Sequence, residues 1–439
     1  MATRMRADRL PATATGNGYY MDSLAQDLLD TRARTLELVE DLSDAQWLGP
    51  RLDIVNPLLW EVAHVGWFQE YWVLRHARGK APRLARGDAL YDSAKVAHDT
   101  RWDLPLYPRT EVLAYLREVL DDVVACAGTP PDRAGYYHWL TGAHEDMHGE
   151  AFAYTRQTLG LRAPRLAVAG RPDDADAGPL PGDAEVGGGT YLLGAIEQDV
   201  SGFVFDNEKW AHPATLAPFR IARAPVTNAE LAAFVDDGGY RRRELWSEAG
   251  WIWRCREDAE HPVYWVRDGG AFRERRFDEL VPLAPHRPVI HLCWFEADAW
   301  CRWAGRRLPT EAEWELAASG FEKRRFPWGD ASPSARHANL DGRAGWTVDV
   351  AAHPEGDSAC GCRQMIGNVW EWTASDFAPY PGFVVDPYKE YSEPWFHTPH
   401  KVLRGGCWVT RGRLLRNTWR NFYPPDRRDV LAGFRTCAR

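Results

Sequence analysis

The chain has 439 residues, 45% of them hydrophobic, and a formal net charge of -9. That length leaves room for two or three domains with sizeable cores, and the acidic balance argues against nucleic acid as the main partner. No apolar run approaches the roughly 20 residues of a membrane span, and the eight cysteines form no C-x-x-C pair, which argues against a zinc framework or a disulfide scaffold. Cys360 and Cys362 sit in a Gly-rich turn and read as a loop feature. The 22 tryptophans can supply core or wall a pocket for a flat or cationic ligand.

The start, residues 1–18, carries positive charge without an apolar centre, so the expectation is a disordered N-terminus, no signal peptide and a cytoplasmic protein. From 19 to 161 the pattern is helical. A first helix follows YMDSLAQDLLDTRARTLELVEDLS, with apolar residues at three- and four-residue steps. A second is predicted from Pro57 to His76, with Asn56 as N-cap and Pro57 in the first turn. A third covers Arg109–Cys126. A fourth runs from about Asp132 to Leu159 and ends at Gly160. Four such helices make a bundle, a common frame for metal sites built from facing helices.

The fourth helix carries the most informative stretch, YYHWLTGAHEDMHGE. His144 and His148 are four residues apart and share one helix face, so both imidazoles can meet a single metal ion. Glu150 lies about 200° round the helix from His148, which suits a supporting or structural role better than ligation. Two histidines leave a site incomplete. The best third ligand is His64, centred in the apolar run NPLLWEVAHVGWFQEYW. Histidines of this kind also occur as ordinary packing or surface residues, but an unpaired buried imidazole is costly.

Residues 162–189 are rich in Pro, Gly, Ala and Asp and read as a linker or a surface arm. From 190 to 439 helical periodicity gives way to short segments with many Gly, Pro and Trp. Helical islands are expected at Asn228–Asp236, Trp294–Gly305 and Glu311–Ser319, with strands in FRIAR, PVIHL and KVLRGG. This is a loop-rich α+β domain in which aromatics pin irregular backbone.

The ordered segments GGGTYLLGA, PFRIARAPVTNAELAAFV, RLPTEAEWELAA, GNVWEWT, KVLRGGCW and AGFR resemble the formylglycine-generating/sulfatase-modifying domain, a variant of the C-type-lectin fold. The bundle with H-x-x-x-H-x-E resembles a DinB-type metal-binding domain. In this order the two resemble the ergothioneine-type sulfoxide synthases, non-haem iron enzymes that use dioxygen to join a sulfur donor to the imidazole ring carbon of hercynine. The resemblance implies an Fe(II) cofactor held by His64, His144 and His148, with Tyr388 as the catalytic tyrosine and Tyr391 as a substrate contact. The alternative for both tyrosines is a buried loop position with a bonded hydroxyl.

Several positions depart from the sulfur enzymes. Met147 stands where a hercynine-binding Gln is common and cannot make that hydrogen bond. Phe422 and Tyr423 replace a Trp-Asp pair, with Asn421 and Arg427 nearby as substrate contacts. Cys293 and Cys407 stand where Ser is usual and read as packing residues or as groups near the donor. HEDMHGEAF and RNFYPPDRRDV resemble the selenoneine synthase branch, whose donor is a selenosugar. A sugar carries no amino-acid ammonium, which is consistent with the lost Asp. The resemblance therefore implies carbon–selenium bond formation; the alternative is an ergothioneine-type enzyme using cysteine or another thiol. Phe422, Tyr423 and Trp419 are candidates to face the trimethylammonium, and Arg101 and Arg427 to bind carboxylate or sugar hydroxyls. Formylglycine generation needs two copper-binding cysteines where this chain has Thr410 and Leu415, so that activity is rejected. A binding module without catalysis would have no need of three convergent histidines.

Overall fold

The computed structural model describes residues 16–129, 132, 135–170, 172, 174–199 and 203–439. Residues 1–15, and with them most of the stretch expected to be disordered, lie outside the described residues. Helix α1, Gly16–Glu37, already begins at the end of that stretch. It stops before Ser43 because Ser43 starts a new helix, α2 (Asp44–Leu48): its side chain accepts from Gln46 N, and the Gln46 side chain accepts from Ser43 N.

The expected second helix is α3, Leu58–Gln69, continued by a π-helical stretch, Glu70–His76. Asn56 does not cap it. Pro57 occupies that position without a side-chain bond, and the Asn56 amide is drawn instead to Arg101 and Glu61. A short helix, α4 (Gly87–Tyr91), returns across α3. Then come α5, Arg109–Ala125, and α6, Tyr136–Thr158. Helix α6 starts one turn later than expected because Gly135, at φ 74°, is left-handed and breaks the helical path from Asp132. Asp132 still serves the helix start, accepting from Tyr137 N at 3.1 Å and from His138 Nδ1 at 2.7 Å. The bundle core is apolar and aromatic, with Leu28, Trp47, Val62, Phe68, Leu116 and Phe152 all buried. Among the described residues no helix is long and apolar enough to cross a membrane.

The expected linker holds a strand. β1 (Asp183–Val186) pairs antiparallel with β4 (Phe219–Ala222), while β2 (Gly189–Leu193) and β3 (His212–Leu216) form a separate hairpin. Ahead of β1, Ala175 packs with Val348 and Ala352, so this arm is bound to the second domain rather than free. Helices α7 (Asn228–Asp236) and α8 (Glu248–Arg256) follow, the second absent from the expected set. A three-stranded meander comes next: β5 (Trp265–Asp268), β6 (Ala271–Arg276) and β7 (Glu279–Pro282). PVIHL is not a strand. Pro288 makes only an isolated bridge to Thr227, and His291 has φ 61°. Helix α9 (Trp294–Trp303), strand β8 (Arg306–Arg307) and helix α10 (Glu311–Ser319) follow, α10 opened by a Thr310/Glu313 capping box.

The remaining strands, β9 (Trp370–Asp376), β10 (Lys401–Arg404), β11 (Asn421–Tyr423), β12 (Ala432–Gly433) and β13 (Cys437–Ala438), complete two four-stranded sheets. Their orders are β1-β4-β13-β8 and β11-β10-β9-β12. Aromatics are half of what pins the long loops. The other half is buried charge: Arg404 pairs with Glu315, Arg420 with Glu311 and Arg435 with Glu371, all three guanidinium groups fully enclosed. Such pairs cost desolvation but set register, because an unmatched partner would be left charged in the interior.

The domains dock along α1 and α6. Arg413 grips Asp146 at 2.6 and 2.8 Å and reaches Asp30 and Thr31 at 2.6 Å. Gln157 near the end of α6 bonds Arg275 O at 2.8 Å and Phe277 N at 2.5 Å. Arg275 in turn donates to the Gln157 carbonyl, which also accepts from Gly160 N at the helix end. The helix carrying His144 and His148 is thus held at its middle and at its C-terminal end by the second domain.

Candidate metal centre

His64 from α3 and His144 and His148 from α6 converge, with one ligand nitrogen of each within 4.8 Å of the others. Their ring centroids are 5.1, 5.2 and 4.5 Å apart. Helix α3 supplies more than one ligand. On the face around His64, Trp60 stacks on His64 at 5.0 Å and 6°, Phe68 stacks on His144 at 3.6 Å and 9°, and Glu61 Oε1 accepts from His148 Nδ1 at 2.6 Å. Positions -4, -3 and +4 relative to His64 therefore brace all three imidazoles. Sequence reading found His64 but not these braces, although their helical spacing was the available signal.

Donor chemistry fits a transition metal. His64 Nδ1 donates to the Tyr91 carbonyl at 2.7 Å, and His148 Nδ1 donates to Glu61, so in both rings Nε2 is left with its lone pair. His144 Nδ1 is buried without a hydrogen-bond partner among the described residues. Burial, with the nearby His148 second, drives His64 down to about 3, and burial likewise drives His144 well below its ordinary value. Both are neutral at physiological pH, the form that ligates. Three imidazoles suit zinc, copper, iron or nickel.

Tyr388 lies beside this group, 6.2 Å from the His144 ring, 4.8 Å from Phe68 and 6.1 Å from Trp72. Burial raises its hydroxyl above the ordinary value, so it keeps its proton at neutral pH. Tyr391 is next to it at 6.2 Å, stacks on Phe205 at 4.3 Å, and points its hydroxyl at Met147 Sδ, 3.6 Å away. Met147, Tyr388 and Tyr391 thus come together across the domain boundary with the histidines.

The remaining predicted residues are more occupied. Phe422 stacks on Phe377 at 3.9 Å and lies T-shaped to Tyr391 at 5.9 Å. Asn421 Oδ1 accepts from Phe422 N at 2.8 Å. Tyr423 has the Arg427 guanidinium 5.3 Å from its ring, while Arg427 is held bidentately by Asp429 and donates to Ile54 O at 3.1 Å. Arg101 is buried behind Trp60 and bonded to Asn56 and Val96. Trp419 is buried against Trp370 and Phe205. Glu150 takes the structural role expected of it: Trp370 Nε1 donates to it at 2.8 Å and the Thr410 hydroxyl donates to its other oxygen. Burial raises it to about 7. Burial also raises the Cys293 and Cys407 thiols well above their usual value, which matches inert packing. A cleft of about 400 Å³ between α1, α6 and loops 325–333 and 412–416 does not include His64, His144 or His148.

Comparison with known proteins accounts for both halves of this arrangement. Residues 27–151 match the DinB superfamily, and residues 169–439 match the sulfatase-modifying factor enzyme 1-like domain. Over 431 residues the chain is 40% identical to the hercynine oxygenase of Mycolicibacterium thermoresistibile, with 94% of each chain covered. The chain belongs to the hercynine oxygenase family. A second member, from Mycolicibacterium smegmatis, is 39% identical over 427 residues, covering 94% of this chain and 98% of that one. The second domain alone extends the likeness to the formylglycine-generating enzyme of Streptomyces coelicolor, 32% identical over 64% of this chain and 96% of that one. This hercynine oxygenase relative is accordingly an oxygen-dependent oxidoreductase with the two-domain α+β architecture expected of it. Where formylglycine generation would need a copper ligand, its Thr410 instead bonds Glu150 of the bundle.

Proposed function

We propose that the enzyme holds iron(II) at His64, His144 and His148 and uses dioxygen to join a selenosugar to the imidazole ring carbon of hercynine. The observation that carries this reading is the convergence of three imidazoles, two of them buried and neutral, with Tyr388 beside them. When bound, the iron supplies dioxygen activation and a coordination position for a soft chalcogen donor. The protein's part is positioning. Trp60, Phe68 and Glu61 fix the ligand rings, and the second domain brings Tyr388 beside them, its hydroxyl holding a proton there.

The selenium preference rests on the pocket chemistry. Met147 offers a thioether where an amide would donate, its sulfur faces Tyr391, and the Phe422–Tyr423 pair carries no carboxylate for a donor ammonium. Phe422 and Tyr423 are the candidates to turn a ring face to the trimethylammonium of hercynine, an attraction of roughly 1–2 kcal/mol when desolvated. The reading includes a cytoplasmic setting. The 40% identity to hercynine oxygenases favours a second reading, in which cysteine or another thiol is the donor. The deciding experiment is anaerobic iron(II) reconstitution followed by aerobic competition among selenosugar, thiosugar, cysteine and γ-glutamylcysteine with hercynine, read by mass spectrometry. A predominant carbon–selenium adduct is expected. A predominant cysteine adduct returns the enzyme to the sulfur branch, and no adduct with iron bound removes the proposed chemistry.

A further inference from the structure

We propose that Arg101 is a positioning residue for the metal centre, bracing two of the three histidines through two separate arms. The inference rests on the metal-site reading above and extends it to a residue outside the bundle helices. Arg101 is 9% exposed.

Its first arm is a stack. The guanidinium carbon lies 3.8 Å from the Trp60 ring, and His64 lies parallel to the same ring at 5.0 Å. The indole is itself anchored, Nε1 donating to Leu90 O at 2.6 Å, and the adjacent Tyr91 carbonyl receives His64 Nδ1. The second arm is a hydrogen-bond relay. Arg101 Nη1 donates to Asn56 Oδ1 at 2.6 Å, Asn56 Nδ2 donates to Glu61 Oε2 at 3.4 Å, and Glu61 Oε1 receives His148 Nδ1 at 2.6 Å. Nη2 is taken by Val96 O at 3.1 Å.

Only a planar cation can do both. The face of the guanidinium stacks while its edge donates, a geometry that a lysine ammonium lacks. Asn56 and Val96 take one bond from each Nη group, while Nε is buried without a hydrogen-bond partner among the described residues. The segment that carries it is held in turn, since His98 Nε2 donates to Val55 O at 2.9 Å, next to Asn56. Asn56, Glu61, Trp60 and Arg101 therefore close a ring around one side of the centre.

The test uses full-length apo-protein titrated with cobalt(II), followed by visible absorbance and by competition with a chelator. Wild type is compared with R101K, N56A and H148A, and the KM of each chalcogen donor is measured separately on the iron-loaded proteins. R101K is expected to lose about 10- to 100-fold in cobalt affinity and to shift the cobalt absorption bands. N56A, which cuts only the relay, should show a smaller loss of the same kind and serves if R101K folds poorly. Wild-type cobalt affinity and spectrum in R101K and N56A would overturn the proposal, above all with a raised donor KM, since Arg101 would then be a substrate contact. Failure of wild type to bind cobalt more tightly than H148A would instead bring down the metal-site reading, and this inference with it.

Discussion

Replacing Glu61 tests how the chain orients its ligands. Its Oε1 receives His148 Nδ1 at 2.6 Å, and its side chain is only 2% exposed. A hydrogen bond to a charged acceptor contributes about 1.5–3 kcal/mol. If all of that energy goes into holding the Nε2 lone pair toward the metal, its loss corresponds to about 10- to 150-fold in metal affinity, at roughly 1.4 kcal/mol per tenfold. E61A should fall in that range. E61Q, which keeps a carbonyl acceptor without the charge, should lose about tenfold or less. Metal affinity is measured by chelator competition with cobalt(II), with circular dichroism checking that the bundle remains folded. An E61A protein with folded spectra and metal affinity within twofold of wild type would refute the argument, because His148 would then be oriented by its helix alone.

Y388F should keep metal affinity while kcat falls about 100-fold or more, the range for loss of a proton-transferring group; an unchanged kcat would remove Tyr388 from the chemistry. Glu150 titrates near 7 in the fold against an ordinary 4.5, so its protonated form is favoured by folding. Its contribution is fully present below about 4.5 and is lost as pH rises to 7, so wild type should lose stability relative to E150Q across that window. Parallel denaturation curves for the two proteins from pH 5 to 8 would contradict that assignment. R413A leaves Asp146 buried without its partner, a loss of about 3 kcal/mol or more, and should lower Tm and loosen the domain boundary to protease; equal Tm values would show that docking rests elsewhere. M147Q should raise the share of thiol adduct in the donor competition, and an unchanged product ratio would remove Met147 from donor or acceptor selection.

The sequence by itself determined the features that depend on local spacing. H-x-x-x-H on a helix put His144 and His148 on one face, the apolar run around His64 marked the facing helix, and PTEAE announced the capping box that opens α10. Segments such as GNVWEWT and KVLRGGCW were legible as a resemblance, because they hold buried tryptophans and arginine in a fixed order. Boundaries were less legible where a single residue changes the path, as at Gly135 before α6 and Ser43 after α1.

Only the tertiary structure decided what surrounds the histidines. Asn56 looked like a cap, but its amide joins Glu61 to Arg101, a residue 45 positions away. Arg101 and Arg427 looked free to bind substrate, yet Asn56 and Asp429 engage them. The arm before residue 190 looked like a linker, yet β1 pairs with a strand more than 30 residues on. Except for Asp429, two residues from Arg427, the competing partner is distant in the chain. A polar side chain entering the interior must find a mate there, and which mate it finds is set by how the two domains pack.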